Sequence, residues 1–84
     1  MSSKEIDGVI ETLAELGEDT TVPKNVRLKI QRIIKNLKGD IEISIKISKA
    51  LNDLDEIAND VNLQPYTRTQ IWNVVSVLEK INNK

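Results

Sequence analysis

A nine-residue segment that occurs twice decides the fold of this chain. Residues 19–27 read DTTVPKNVR, and residues 60–68 read DVNLQPYTR. Each copy begins with Asp, has an aliphatic residue at its fourth position and ends with Arg. The same offset of 41 positions also pairs apolar with apolar residues before and after the segment. We interpret this as one helical hairpin used twice.

Apolar residues flank both copies at the three- and four-residue spacing that is typical of one helix face. Breaks at residues 17–22, 38–40 and 62–65 divide the chain into four helices. We expect Gly17 to stop the first helix, Asp19 and the two Thr that follow it to cap the second, and Pro23 to lie in its first turn. Gly39 and Asp40 are interpreted as a second stop followed by a cap.

Residues 41–47, with the sequence IEISIKI, alternate apolar and polar side chains, which by itself predicts a strand. No second strand is predicted, and a lone strand would leave its backbone polar groups unpaired. We therefore assign the segment to the start of the third helix, with a short extended start as the alternative. The predicted fold is all-α, an up-and-down four-helix bundle of two pseudo-repeated hairpins in a single domain over residues 1–84. HEAT-like stacking of the two hairpins is the alternative packing.

Composition excludes several classes of site. The 84 residues include no His and no Cys, carry a formal net charge of −1 and are 39% hydrophobic. Thiolate or imidazole metal sites and histidine general bases are therefore excluded, and we predict no catalytic, metal-binding or cofactor-binding residue and no enzyme activity. Charges interrupt every apolar cluster and no apolar leader begins the chain, so we expect a cytoplasmic protein without a membrane partner.

Three motifs resemble one known family. DTTVPKNVR at 19–27, LDEIAND at 54–60 and RTQIWN at 68–73 are similar to the archaeal uncharacterised protein family one-four-seven, whose members are small all-helical proteins of unknown function. The resemblance implies a helical bundle of archaeal, cytoplasmic origin. It implies no activity and no catalytic residue.

The repeated acid and base give a structural prediction. Asp19 precedes Arg27 by the same interval as Asp60 precedes Arg68. An Asp that caps a helix and pairs with an Arg one or two turns later would lock each hairpin corner, and we favour this role over ligand binding.

The second predicted helix carries a basic stripe opposite its apolar face. Such a stripe could bind phosphates of RNA or DNA. The first and third helices are acidic, however, and we favour a solvated face on which the charges of neighbouring helices complement one another. The residues of the stripe are Lys24, Arg27, Arg32, Lys35 and Lys38.

A few large apolar residues fall outside the predicted core faces. Ile41 and Ile45 lie opposite the core side of the third helix, and Trp72 and Val77 widen the apolar arc of the fourth. These four form a candidate interface for a second copy or an unknown protein partner. For Trp72 we favour a place at the rim of the core, because a small domain without Phe needs its large residues for the interior. The competing account folds Ile41 and Ile45 back over the bundle end as ordinary core. The predicted function is a non-enzymatic interaction module or homo-oligomer, with nucleic-acid binding through the second helix as the alternative.

Overall fold

Four α-helices account for most of residues 3–82, the part of the chain that the computed structural model describes, and none of these residues lies in a strand. The all-α prediction is therefore confirmed. The helices are α1 (Ser3–Glu18), α2 (Lys24–Leu37), α3 (Ile43–Ala58) and α4 (Pro65–Asn82).

The four helices pack in a closed ring. α1 packs beside α2 and α4, and α3 also packs beside α2 and α4, whereas the described residues of the diagonal pairs do not bring their backbones side by side. Short loops make consecutive helices antiparallel. The result is the up-and-down bundle, 33 Å long and about 20 Å across, rather than a HEAT-like stack.

A single apolar core fills the space between the helices. Residues at three- and four-residue spacing supply it, so that each helix buries one face. Full burial of one such side chain stabilises the fold by about 1.5–3 kcal/mol before entropy costs. Its most deeply buried apolar members are Leu13, Ile30, Ile33, Leu54, Ile71 and Leu78.

The two loops between the paired helices have the same geometry. The carboxylate of Asp19 accepts a hydrogen bond of 2.9 Å from the backbone N–H of Thr21, and the carboxylate of Asp60 accepts one of 2.9 Å from Asn62. Each of these is a local turn in which the Asp side chain bonds the backbone two residues ahead. The sequence repeat is thus also a structural repeat.

Gly17 does not stop α1 as expected. The helix continues to Glu18, and no described glycine has the positive φ of a helix-ending residue. A Cβ at Gly17 would lie 3.5 Å from Cγ2 of Ile30. The small residue therefore sits where α1 and α2 approach each other closely.

The predicted helix caps are also wrong. Pro23 precedes α2 and Glu42 precedes α3, and neither makes a side-chain capping bond. The Asp19 carboxylate is engaged inside its own loop, and Asp40 lies two residues before Glu42. Residues 43–47 are helical, as predicted for the start of the third helix, and Glu42, with φ −56° and ψ 138°, is the extended residue that precedes them.

Candidate interaction surfaces

Ile41 and Ile45 lie at the corner between α2 and α3, and we refer to the two residues as the corner patch. Their exposed fractions are 45% and 49%. Ile41 is in the loop and Ile45 is in the first turn of α3. Neither is folded back over the bundle end, so the competing account of these two residues as ordinary core is wrong.

Hydrogen bonds fix the backbone of this corner. Nζ of Lys46 donates to the carbonyl oxygen of Leu37 at 3.1 Å, which links the first turn of α3 to the last residue of α2. The backbone N–H of Gly39 donates to the carbonyl oxygen of Asn36 at 3.1 Å. The Ser44 hydroxyl donates to the Glu42 carboxylate at 3.0 Å. The corner patch is therefore presented by an ordered turn.

Trp72 and Val77 lie on different sides of α4. Val77 is five positions after Trp72, which corresponds to about 140° around a helix. Val77 is half-buried and lines a groove shared with α1, whereas Trp72 is 47% exposed and does not line it. Trp72 therefore lies on the exposed outer side of α4, away from the groove. The structure does not bring Val77 to that side.

The groove between α1 and α4 has a volume of about 420 Å³ and is open to solvent. Gly8 widens it, because a Cβ at that position would meet no atom within 4 Å. Its wall combines apolar side chains with two amides, a hydroxyl and a carboxylate. Its lining residues are Glu5, Gly8, Val9, Thr12, Gln70, Asn73, Val74 and Val77.

Three further apolar residues are exposed although the sequence patterns did not place them on the surface. Leu28, Val61 and Tyr66 are 56%, 89% and 66% exposed. Leu28 could have been found, because it lies about 160° from the buried Ile30 around α2. Val61 and Tyr66 lie at the opposite end of the bundle from the corner patch.

Four of the five stripe residues are exposed: Lys24, Arg32 and Lys35 on α2, and Lys38 directly after its last residue. Arg27 is half-buried, and its Nε donates to the carbonyl oxygen of Val22 at 3.1 Å. That bond commits the Arg27 guanidinium to the loop before α2. The stripe that is free to meet a partner is therefore shorter by one residue.

Ion pairs with the neighbouring helices neutralise little of the positive charge of α2. α1 and α3 do flank α2, and Lys29 Nζ lies 3.8 Å from Glu56 Oε1 of α3. Lys29 is outside the stripe, and none of the four exposed stripe cations makes an ion pair within 4 Å with a described residue. The charges of these four residues are therefore available to a binding partner.

The Asp and Arg residues of the repeat lie at the two corners without forming direct ion pairs with one another. Nε of Arg68 donates to the carbonyl oxygen of Ala58 at 3.1 Å, and its Nη2 donates to that of Asp60 at 2.9 Å. The last carbonyls of a helix have no intrahelical donor, which makes them natural partners for the guanidinium.

The Asp19 carboxylate is held by local donors. The Thr21 hydroxyl donates to its Oδ1 at 2.7 Å and the Thr21 backbone N–H donates to the same atom at 2.9 Å. These bonds, and to a smaller extent the charge of Arg27, lower the pKa of Asp19 below its ordinary value. The carboxylate remains ionised in the fold at neutral pH.

Among residues 3–82, no three acidic side chains come together as a group that could hold a metal ion. No helix in the same range is long and apolar enough to cross a bilayer.

Comparison with known proteins identifies the family. The model of the uncharacterised protein family UPF0147 matches residues 1–81. A UPF0147 protein of Archaeoglobus fulgidus is 39% identical over 98% of this chain and 94% of its own length. A UPF0147 protein of Methanocaldococcus jannaschii is 42% identical over 90% of this chain and 83% of its own length. The chain belongs to UPF0147, and the resemblance seen in the sequence is confirmed.

A solved structure has the same fold. The crystal structure of the protein of unknown function MMP1188 superimposes with a TM-score of 0.87 and 35% identity. The match covers 94% of this chain and 91% of the other. The names of these relatives assign no activity to the family, so a function has to be argued from the surfaces.

Proposed function

We propose that this protein is a non-enzymatic interaction module that binds a partner protein through the corner patch. The observation that carries the proposal is the half-exposure of both Ile41 and Ile45 on a hydrogen-bonded corner. Single exposed apolar residues are common on protein surfaces, but two on one ordered turn offer a partner a preformed apolar contact.

The magnitudes require a larger contact than the two isoleucines alone. Full burial of each would contribute about 1.5–3 kcal/mol, whereas association costs about 4–15 kcal/mol in lost freedom. Trp72 is 47% exposed and is of the residue type most often found at the energetic centre of interfaces. We therefore include Trp72 in the binding side, and we leave out Val77 because it lines the groove with α1.

The non-enzymatic part of the proposal rests on the side chains available. A chain without His or Cys has only carboxylates, lysines and Tyr66 as acids and bases near neutral pH. We place the module in the cytoplasm, since a small domain of an oxidising compartment usually has disulfides and this chain has no Cys.

A matched pair of variants tests the corner patch. Ile41→Lys with Ile45→Lys places charge on the patch, and Val61→Lys places charge on the apolar residue at the other end of the bundle. Each bait is used to capture proteins from native lysate, with and without nuclease, and each retained protein is then purified and titrated against all three baits.

A purified protein that binds the parent and Val61→Lys, but not the double variant, is the expected result. Equal binding by all three baits would contradict the proposal. So would a double variant that unfolds while the parent binds no purified candidate, because the isoleucines would then serve the fold alone.

Nucleic acid is the second candidate, favoured by the four exposed cations of α2 that have no ion pair within the described residues. Neutralising Lys24, Arg32, Lys35 and Lys38 together should then weaken RNA or DNA binding for all sequences and flatten its salt dependence. Failure of the unmutated protein to retain RNA or DNA at low salt would exclude this candidate.

A further inference from the structure

The side of the bundle formed by α1 and α2 carries opposite charges on its two helices. Lys24, Lys35 and Lys38 lie within about 40° of Gln31 around α2. Gln31 in turn faces α1, because its Nε2 donates to the carbonyl oxygen of Gly17 at 3.4 Å. These three cations are exposed and lie beside α1.

The matching part of α1 is acidic. Asp7, Glu11 and Glu18 are exposed and lie within about 40° of one another around the helix. Gly8 is the nearest residue that lines the groove with α4, and around α1 it is about 100° from Asp7, 80° from Glu18 and 60° from Glu11. They are therefore turned away from α4. We define the α1–α2 face by Asp7, Glu11, Glu18, Lys24, Lys35 and Lys38.

The packing of α1 on α2 sets which acid and base lie at the same height. Gly17 of α1 lies beside Ile30 and Gln31 of α2. Because the two helices are antiparallel, any residue of α1 and the α2 residue at the same height along the bundle have numbers that add up to about 47. Glu11 is then level with Lys35, and Asp7 is level with Lys38. No ion pair within 4 Å joins either of these pairs inside one chain.

We propose that the α1–α2 face binds a second copy of this chain. A two-fold axis parallel to the helices would place α1 of one copy on α2 of the other without changing the height of any residue. Glu11 would then face Lys35 of the second copy, Asp7 would face Lys38, and symmetry would form each contact twice. A two-fold axis perpendicular to the helices would instead place acid on acid. Charge therefore selects one arrangement.

The polarity of the face makes this dimer weak, although its size is close to that of a standard interface. One side of the bundle measures 33 Å by about 20 Å. Its area is therefore close to the roughly 800 Å² that each partner contributes to a standard interface. Leu28 is the exposed large apolar residue of α2, and charges supply most of the complementarity. Exposed ion pairs contribute little individually and are screened by salt, so the dimer should form at low ionic strength and dissociate at high ionic strength.

The acids beside the stripe also favour a second copy over nucleic acid. A polyanion that binds Lys35 and Lys38 would lie next to Glu11 and Asp7, whose charges repel phosphates. A second copy instead offers cations to the acids of α1 and acids to the cations of α2. The proposal uses a different face from the corner patch, so either can fail while the other holds.

Charge reversal tests the arrangement. Sedimentation equilibrium at low salt is measured for the parent, Glu11→Lys, Lys35→Glu and the double variant, with Glu79→Lys of α4 as a control that has the same charge change as Glu11→Lys. The parent and the control should dimerise, each single reversal should weaken dimerisation about tenfold or more, and the double reversal should restore it. Addition of a single-stranded oligonucleotide to each sample reports polyanion binding, which Glu11→Lys should strengthen if the stripe binds phosphates.

Three results would overturn the proposal. The first is a parent that remains monomeric at low salt and about 1 mM protein. The second is a dimer that neither single reversal weakens, and the third is a double reversal that is no better than the singles. Folded structure in all variants is checked by circular dichroism, and because all substitutions are at exposed helix positions, the helical signal should be unchanged.

Discussion

Arg68 ties the end of α3 to the beginning of α4 through the carbonyl oxygen of Ala58, which accepts a hydrogen bond of 3.1 Å from the Arg68 Nε. A second bond of 2.9 Å, from Nη2 to the carbonyl oxygen of Asp60, holds the intervening loop. Arg27, the equivalent residue of the first hairpin, makes one such bond, to Val22. The two hairpins therefore have an arginine at the same position, but Arg68 makes two hydrogen bonds to backbone carbonyls and Arg27 makes one.

Replacement of these arginines by lysine should have unequal effects. Lys keeps the charge but lacks the planar fork that reaches two carbonyls at once. With hydrogen bonds to charged groups contributing about 1.5–3 kcal/mol, Arg68→Lys should lower the free energy of unfolding by about that amount, and by more than Arg27→Lys. Urea denaturation of both variants measures this. Equal losses would show that the second bond of Arg68 contributes nothing.

Thr67 should be replaceable by valine with a gain in stability. It is 1% exposed, and its hydroxyl makes no hydrogen bond with a described residue. A buried hydroxyl without a partner costs about 1–3 kcal/mol, and the equivalent position of the first hairpin is Val26, which is equally buried. Thr67→Val should raise the urea midpoint. A lower midpoint would show that the hydroxyl has a partner that stabilises the fold.

Gly8→Ala should also stabilise the protein. Gly8 lies inside α1, has no positive φ, and a Cβ there would meet no atom within 4 Å. Alanine removes the backbone freedom of glycine in the unfolded chain and should add about 0.5–1 kcal/mol. Thermal unfolding followed by circular dichroism would register the gain, and a decrease would mean that the α1–α4 groove needs its full width.

The Asp19 carboxylate should make the free energy of unfolding depend on pH. Its pKa is lowered in the fold by the Thr21 bonds, so the ionised form stabilises the native state. That contribution is present above the pKa of Asp19 in the unfolded chain and is lost as pH falls through the lower native pKa.

Asp19→Asn keeps an oxygen acceptor but removes the titrating group. The variant should therefore lose less stability than the parent between neutral pH and about pH 2. Asp55→Asn, which removes one exposed carboxylate of α3, controls for the change in net charge. Parallel acid unfolding curves for the parent and Asp19→Asn would contradict this account.

Much of the fold follows from apolar spacing alone. Four amphipathic segments with short breaks predict four antiparallel helices, and the repeat predicts equivalent corners. Helix ends were less predictable, because Gly17 and Asp19 each have two local roles. Gly17 can end a helix or allow a close approach, and Asp19 can cap a helix or close a turn on Thr21.

The surfaces were predictable only in part. The angle of a residue around its own helix predicts its exposure, as it does for Ile45. Ile41 is also exposed, but it lies in the loop before α3, where a helical angle does not apply. That angle does not state which neighbouring helix lies on which side, so Trp72 and Val77 were grouped although they lie on different sides of α4. Partner choice at Arg27 depends likewise on a backbone carbonyl, and carbonyl positions have no sequence signal.

Site-specific photo-crosslinking tests the role of the corner patch most directly. A photoreactive amino acid is placed at Ile45 in one variant and at Val61 in another, and each protein is irradiated in native lysate at physiological salt. The account predicts a discrete protein adduct from position 45 that is absent from position 61 and is suppressed by Ile41→Lys in the same chain. The absence of any adduct at position 45, or the same adducts at both positions, would contradict it.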